Sequence, residues 1–183
     1  MLFADIRGSL ELVATHDAEV VRKVFLNPVL ELMIEAVRYY GGVLHNVSGD
    51  GIMAIFGAPL AVEDHAVRAC YAGLRMQESV TRYADDVHGS HGVRVSIRVG
   101  IASGEIIGHT VRTGRHSDHI VVGETAWLAS RVEQMAKPGS VFTTAATFHM
   151  AEGYVAMKPI GLLPVKGLGE PIRVFEVTPR YSC

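Results

Sequence analysis

The chain has 183 residues, 49% of them hydrophobic and 20% charged, with a formal net charge of −2. That composition belongs to one globular domain with a real core and excludes a disordered chain. The slightly acidic balance excludes the broad basic surface that general affinity for nucleic acid requires. No apolar stretch approaches the roughly 20 residues of a membrane span, and Met1-Leu2-Phe3-Ala4-Asp5 reaches an acid too early for a signal peptide. Two cysteines, Cys70 and Cys183, make no disulfide framework, and a reducing cytoplasm is the simplest setting. There is no repeat, low-complexity tract or linker, so residues 1–183 read as a single domain. A strand-like run that begins at Met1 with no lead-in is expected of a piece of a longer protein, or of an unusually abrupt start.

Met1 to Ala4 reads as a short central strand. Asp17 is placed to cap the next helix, with Glu19 in its first turn. Val20, Val24, Leu30, Ile34 and Val37 recur near helical spacing up to Tyr40. Asn27-Pro28 is expected to split that pattern into two helices, with Asn27 capping the second, and Gly41-Gly42 ends it. Val43–Val47 and Ile52–Phe56 are β-type runs joined by Ser48-Gly49-Asp50-Gly51, whose Asp-Gly step signals a hairpin. Glu63 to Tyr83 is the next helix, with Ala66, Ala69, Cys70 and Leu74 on its apolar face; Cys70 there is inert core. Val93 to Val99 alternates as a half-buried strand, and Gly104 to Gly108 is expected to pair back on it. Thr110 to Asp118 is polar and basic and reads as an exposed loop or arm. Gly123 to Ala136 is helical and stops at Lys137-Pro138-Gly139. Val141-Phe142, Tyr154–Met157 and Ile172–Val177 are later strands. Helices crossing between strand pairs predict an α+β fold, a ferredoxin-like sandwich of an antiparallel sheet with helices.

Two acids carry the chemistry. Asp5 and Asp50 each close a strand-like run, and a sheet that brought them together would hold Mg²⁺ against a nucleotide's phosphates. His45, His65, His109, His116 and His119 show no consistent metal-ligand spacing and read as surface or arm residues. Arg112, Arg115 and His116 in the basic arm suit a subunit contact better than a nucleic-acid site.

Several blocks, taken in order, resemble the class III adenylyl/guanylyl (nucleotide) cyclase catalytic domain. They are Leu2-Phe3-Ala4-Asp5-Ile6-Arg7-Gly8, Ser48 to Pro59 (SGDGIMAIFGAP), Val99 to Glu105 (VGIASGE), Val122-Gly123-Glu124-Thr125, Ala129-Ser130-Arg131-Val132-Glu133, Ala136-Lys137-Pro138-Gly139 and Val165-Lys166-Gly167. They cover almost the whole chain. The resemblance implies a homodimer with active sites between subunits, where a purine nucleoside triphosphate loses pyrophosphate as its 3′-oxygen attacks the α-phosphorus. It implies that Asp5 and Asp50 bind two Mg²⁺ (or Mn²⁺) ions, helped by the Ile6 carbonyl. It implies main-chain N–H groups at Gly8 and Ser9 facing the polyphosphate, at a helix start that favours anions. Arg131 of the other subunit would stabilise charge on the α-phosphate, and Lys166 would meet the terminal phosphates.

Three positions depart from that pattern. The family's purine-reading lysine is Asn46 here. Its partner, an Asp or Thr, is Ile120, which offers adenine no acceptor. The ribose-orienting Asn of the family is Trp127, which adds bulk and removes an amide. Ser9-Leu10 also replaces the usual Phe-Thr. Asn46 keeps a donor and an acceptor but loses reach and charge, and a site without the family's base-reading groups should discriminate poorly. The expected function is therefore a purine nucleotide cyclase, acting on ATP in the first place, in signal transduction. The alternative is a catalytically degenerate cyclase-homology domain that dimerises or binds nucleotide and regulates an attached module. A diguanylate cyclase is disfavoured because Ser48-Gly49-Asp50-Gly51 lacks that family's Gly-Gly-Asp/Glu-Glu-Phe signature.

Overall fold

The computed structural model describes residues 1–8, 12, 14–113 and 116–179, with the backbone alone over 109–122. The chain runs β1 (Leu2–Arg7), α1 (Ala18–Val20), a π-helical stretch (Val21–Leu26), α2 (Asn27–Tyr39), β2 (Val43–Ser48), β3 (Gly51–Ile55), α3 (His65–His91) and β4 (Ser96–Ile101). It continues through β5 (Ile107–Thr113), β6 (His116–Val122), α4 (Glu124–Met135), β7 (Val141–Thr144), α5 (Ala145–Ala151), β8 (Ala156–Leu163) and β9 (Ile172–Thr178). A seven-stranded sheet has the order β2-β3-β1-β4-β7-β9-β8. Its first four strands, joined through α1–α2 and α3, form the ferredoxin-like unit that the element order predicts. The sheet is antiparallel except for β4 and β7, which are parallel. A parallel pair needs a long crossover, and the segment carrying α4 supplies it.

The alternation of β1 sorts its residues between two layers. Leu2, Ala4 and Ile6 are buried with Phe25, Val29, Met33, Cys70 and Met76 from the helical layer. Burial pushes the Cys70 thiol up to about 12, so it is inert core as expected. Phe3, Met53 and Ile55 face the opposite way, against Ala126 and Ala129 of α4. Asp5 follows Phe3 by two residues and so lies on the face that α4 covers.

Asp17 caps α1 as predicted: its Oδ1 accepts from the Glu19 amide at 2.8 Å. The expected break at Asn27-Pro28 does not occur. Leu26, not Asn27, stands at the start of α2, with helical dihedrals and no side-chain bond. The helical path continues through the π-helical turns, where the Asn27 amide bonds the Arg22 carbonyl. Pro28 falls in the first turn of α2, where its missing N–H costs little. The α3 helix runs to His91, past the predicted end at Tyr83, because Ala84 and Val87 continue its buried stripe between polar residues. Gly92, at φ 69°, ends it.

The stretch read as a loop or arm, Thr110 to Asp118, is a two-stranded ribbon instead. β5 and β6 pair from Ile107↔Val122 to Thr113↔His116. Thr110, Val111, Thr113, Ile120, Val121 and Val122 are β-branched and outweigh the charges. For the same reason the strand expected over Gly104–Gly108 begins only at Ile107, and it pairs with β6 rather than β4. The short α5 was not foreseen, and β8 starts later and runs longer than the Tyr154–Met157 expected.

A candidate divalent-metal and nucleotide site

The β2–β3 hairpin turns through Gly49-Asp50, with Ser48 opposite Gly51. Gly49 has φ 59°, a conformation the tight turn demands. β3 then pairs with β1 so that Asp5 faces Gly51, and the Ile6 amide donates to the Asp50 carbonyl at 3.1 Å. The two predicted acids are thus neighbours at adjacent strand ends. Gly51 is held tight in this corner: a Cβ on it would lie 3.0 Å from the Ala4 carbonyl oxygen and 3.4 Å from Asp5 Oδ1. The Asp5 carboxyl titrates above its ordinary value, first through burial and second through the charge of Asp50, against the opposing pull of Arg98. Two crowded carboxylates that share negative charge suit a hard divalent cation such as Mg²⁺ or Mn²⁺. Among the described residues no set of three or more His, Cys, Asp or Glu is arranged to hold a metal. Such an ion would draw its remaining ligands from water and substrate phosphate, as Mg²⁺ commonly does.

Arg98 on β4 lies opposite Asp5 in register. Its Nη2 donates to Asp5 Oδ2 at 3.0 Å and lies 2.9 Å from Glu133 Oε1 on α4. Its Nη1 also donates to the Gln134 carbonyl at 3.3 Å. The Glu133 side chain is 8% exposed, and its carboxyl is pushed up to about 7. Burial is the main cause; Asp5 and Asp50 add to it, while Arg98 and Arg7 oppose it. A small open cleft, lined among others by Asp5, Asn46, Ser48, Gly51, Met53 and Glu133, adjoins this group.

Gly8 follows β1 with φ 76°, and its carbonyl accepts from the Leu12 amide at 3.1 Å. Ser9 lies outside the described residues. Asn46 is exposed on β2, beside the irregularity that shifts the register between Leu44 and Asn46, and pairs with Met53. Ile120 lies opposite His109 in the β5–β6 ribbon.

A second group forms on the other side of α4. Trp127 and Arg131 are one helical turn apart, and the Arg131 guanidinium sits 5.6 Å from the centre of the indole. Arg131 Nη1 donates to Gln134 Oε1 at 2.8 Å. The indole also abuts the loop of Val165-Lys166-Gly167: a Cβ on Gly167 would lie 3.0 Å from Trp127 Cζ2. Val165 is buried and anchors that loop, and Lys166 is exposed. The structure therefore brings Asp5, Asp50 and Asn46 together in one place and Trp127, Arg131 and the Lys166 loop in another.

The family model described as the adenylate and guanylate cyclase catalytic domain matches residues 1–177. The chain belongs to that family. Adenylate cyclase 1 of Rhizobium meliloti is 27% identical over 154 residues, which are 83% of this chain and 23% of that protein. The adenylate cyclase of Anabaena cylindrica is 29% identical over 187 residues, 97% of this chain and 36% of that protein. The chain thus spans about a quarter to a third of these relatives' length. Among solved structures, the adenylyl cyclase CyaB of P. aeruginosa superposes with a TM-score of 0.92 at 26% identity, covering 98% of this chain and 93% of its own. The guanylate cyclase domain of RhGC from Catenaria anguillulae, in complex with GTP, superposes at 0.87 and 25% identity, covering 98% and 95%.

Within this cyclase domain, Arg98 and Glu133 are the site neighbours that sequence patterns passed over. One signal was available. Arg98 is a long cation in the middle of an alternating half-buried strand, and Glu133 falls on the same helical stripe as buried Ala129 and Val132. Charges at such positions are rarely tolerated without a partner.

Proposed function

We propose that this domain converts a purine nucleoside triphosphate, ATP in the first place, to a 3′,5′-cyclic nucleotide and pyrophosphate. The adjacency of Asp5 and Asp50 carries the proposal. Ions bound to those carboxylates, two Mg²⁺ or Mn²⁺ as the resemblance implies, would supply charge neutralisation and lower the pKa of the 3′-hydroxyl. The chain's own residues do the rest. Asp5 and Asp50 orient the ion-binding oxygens, with the Ile6 carbonyl close by. By the resemblance, main-chain N–H groups that follow Gly8 would meet the polyphosphate. Lys166, exposed on its loop, meets the terminal phosphates as a point charge, and Arg131 stabilises charge developing on the α-phosphate. Breaking the α–β phosphoric anhydride bond releases pyrophosphate as the 3′-oxygen bonds the α-phosphorus.

In one chain the acid pair and the Arg131 group form separate clusters. This favours a homodimer in which each active site takes its acids from one subunit and Arg131 from the other. Exposed Asn46 and apolar Ile120 leave base recognition relaxed. Among the described residues no helix is long and apolar enough to cross a membrane, and we place the activity in the cytoplasm, serving signal transduction.

Trp127 favours an alternative: a domain that binds nucleotide or dimerises without turnover and regulates an attached module. The indole occupies the position of a ribose-orienting amide and packs against both Arg131 and the Lys166 loop. The deciding experiment incubates the purified dimer with ATP or GTP and Mn²⁺ or Mg²⁺ and weighs the product. Cyclic nucleotide that disappears in Asp5→Ala and in Asp50→Ala, both still folded, supports the cyclase. Product that survives either change refutes the role given to the acids. Nucleotide binding without product favours the regulatory domain.

A further inference from the structure

We propose that Trp127 and Gln134 hold Arg131 in a folded-back resting position, from which a nucleoside triphosphate in the cleft releases it. The inference rests on the reading of Arg131 as a group that meets substrate phosphate. Trp127, Arg131 and Gln134 follow one another at successive turns of α4, so their side chains share one stripe. The Arg131 guanidinium lies 5.6 Å from the centre of the indole, and its Nη1 donates to Gln134 Oε1 at 2.8 Å. The cation is thus occupied along its own helix rather than extended from it. Its Nε is shut off from solvent and has no hydrogen-bond partner among the described residues. A buried donor left unpaired opposes the arrangement that buries it. The resting position is therefore held by two modest contacts and contains a defect that an incoming anion removes. A released guanidinium can offer Nε and Nη2 together to two phosphate oxygens.

The indole is braced from behind. Its Cζ2 edge meets Gly167, where a Cβ would lie only 3.0 Å away. Gly167, at φ 104°, belongs to a tight turn in which the Leu168 amide donates to the Val165 carbonyl at 3.0 Å, and Val165 is buried. The loop that carries Lys166 therefore fixes the ring, and the ring gives Arg131 a surface to lie against. Such a surface holds a guanidinium weakly and yields it to a charged, hydrogen-bonding partner. A ligand shifts an equilibrium only by its preference for one state. A triphosphate pairs with the released guanidinium and not with the stacked one, so its apparent affinity falls with the fraction of chains at rest.

Trp127 is the chain's only tryptophan, so its fluorescence reports this contact alone. The test follows acrylamide quenching of the purified dimer with and without the uncleavable α,β-methylene-ATP and Mg²⁺, while calorimetry measures binding of the same analogue. Wild type is compared with Arg131→Ala and with Gln134→Ala, whose replaced side chain is exposed. Without nucleotide, Arg131→Ala should be quenched more readily than wild type. Saturating analogue should bring wild type to the quenching of Arg131→Ala and leave Arg131→Ala unchanged. Gln134→Ala should bind the analogue about 2–5-fold tighter, the scale of one exposed charged contact removed from the resting state. If Arg131→Ala binds the analogue as well as wild type does, or if neither binds it, the phosphate assignment of Arg131 fails and the inference falls with it. If Arg131→Ala binds more weakly but wild-type quenching does not respond to the analogue, the assignment stands and the resting contact is overturned. A response that persists in Arg131→Ala also overturns it, since a base then stacks on the indole. Equal or weaker binding by Gln134→Ala overturns it as well, and that variant decides alone if Arg131→Ala does not fold.

Discussion

Gly100 lies directly beneath Glu133. A Cβ on Gly100 would stand 2.2 Å from the Glu133 backbone nitrogen and 2.5 Å from the Ala129 carbonyl oxygen. Strand β4 and helix α4 thus approach at backbone distance. Gly100 lies two residues after Arg98, on the same face of β4, so this close approach also delivers the Glu133 carboxylate to the Arg98 guanidinium.

Gly100→Ala is expected to lift α4 from the sheet at that point. The obstruction is backbone rather than a side-chain end that swings away. The cost should reach about 3 kcal/mol, the upper range for overpacking. Urea denaturation of wild type and variant measures it, and a change under about 0.5 kcal/mol would contradict the close approach.

Glu133 makes the metal-free domain's stability depend on pH. Its folded-state carboxyl titrates at about 7 against an ordinary value of 4.5. Between those values the folded state binds the proton more tightly than the unfolded state. The contribution is therefore fully present below the lower value and is lost as pH rises through about 7. Denaturation midpoints in chelator should fall from pH 5 to pH 8, and Glu133→Gln should flatten that slope. Equal slopes in the two proteins would remove Glu133 as the cause.

Trp127→Asn restores the side chain that the family resemblance leads one to expect beside Arg131. If the indole is what limits turnover, kcat should rise on the order of 10²-fold, the scale of one positioned transition-state group. A steady-state assay with ATP and Mn²⁺ reads it. An unchanged kcat would move the limitation to Asn46 and Ile120, and a double replacement there with the family's Lys and Asp would be the next variant.

Phe25 is fully buried at the π-helical turn. Phe25→Ala should cost about 3–5 kcal/mol, as expected for an aromatic ring lost from a close-packed core. Thermal melting checks this. A much smaller loss would mean that the π-helical turns relax to fill the space.

The ribbon of β5 and β6 and the length of α3 show where local patterns misled. The polar and basic character of Thr110 to Asp118 suggested a loop, yet β-branched residues spread along both strands support a ladder from Ile107↔Val122 to Thr113↔His116. The helix expected to end at Tyr83 runs on through Asp85, Asp86 and His88, which occupy the solvent side of a helix whose other side stays buried. Composition over a few residues does not reveal which side of an element meets water.

The sequence by itself determined the two acids, the hairpin turn that presents Asp50, the βαββαβ order and the ordered blocks that mark a cyclase domain. These are local: each depends on residue type and on neighbours a few positions away. It also exposed the departures at Asn46, Ile120 and Trp127. Only the tertiary structure decided that Arg98 is shared between Asp5 and Glu133, and that Trp127 joins Arg131 to the Lys166 loop. Those contacts link segments far apart in the chain. They form only where Gly100 lets a helix settle on the sheet and Gly167 leaves room for an indole, distances that no single stretch of sequence encodes.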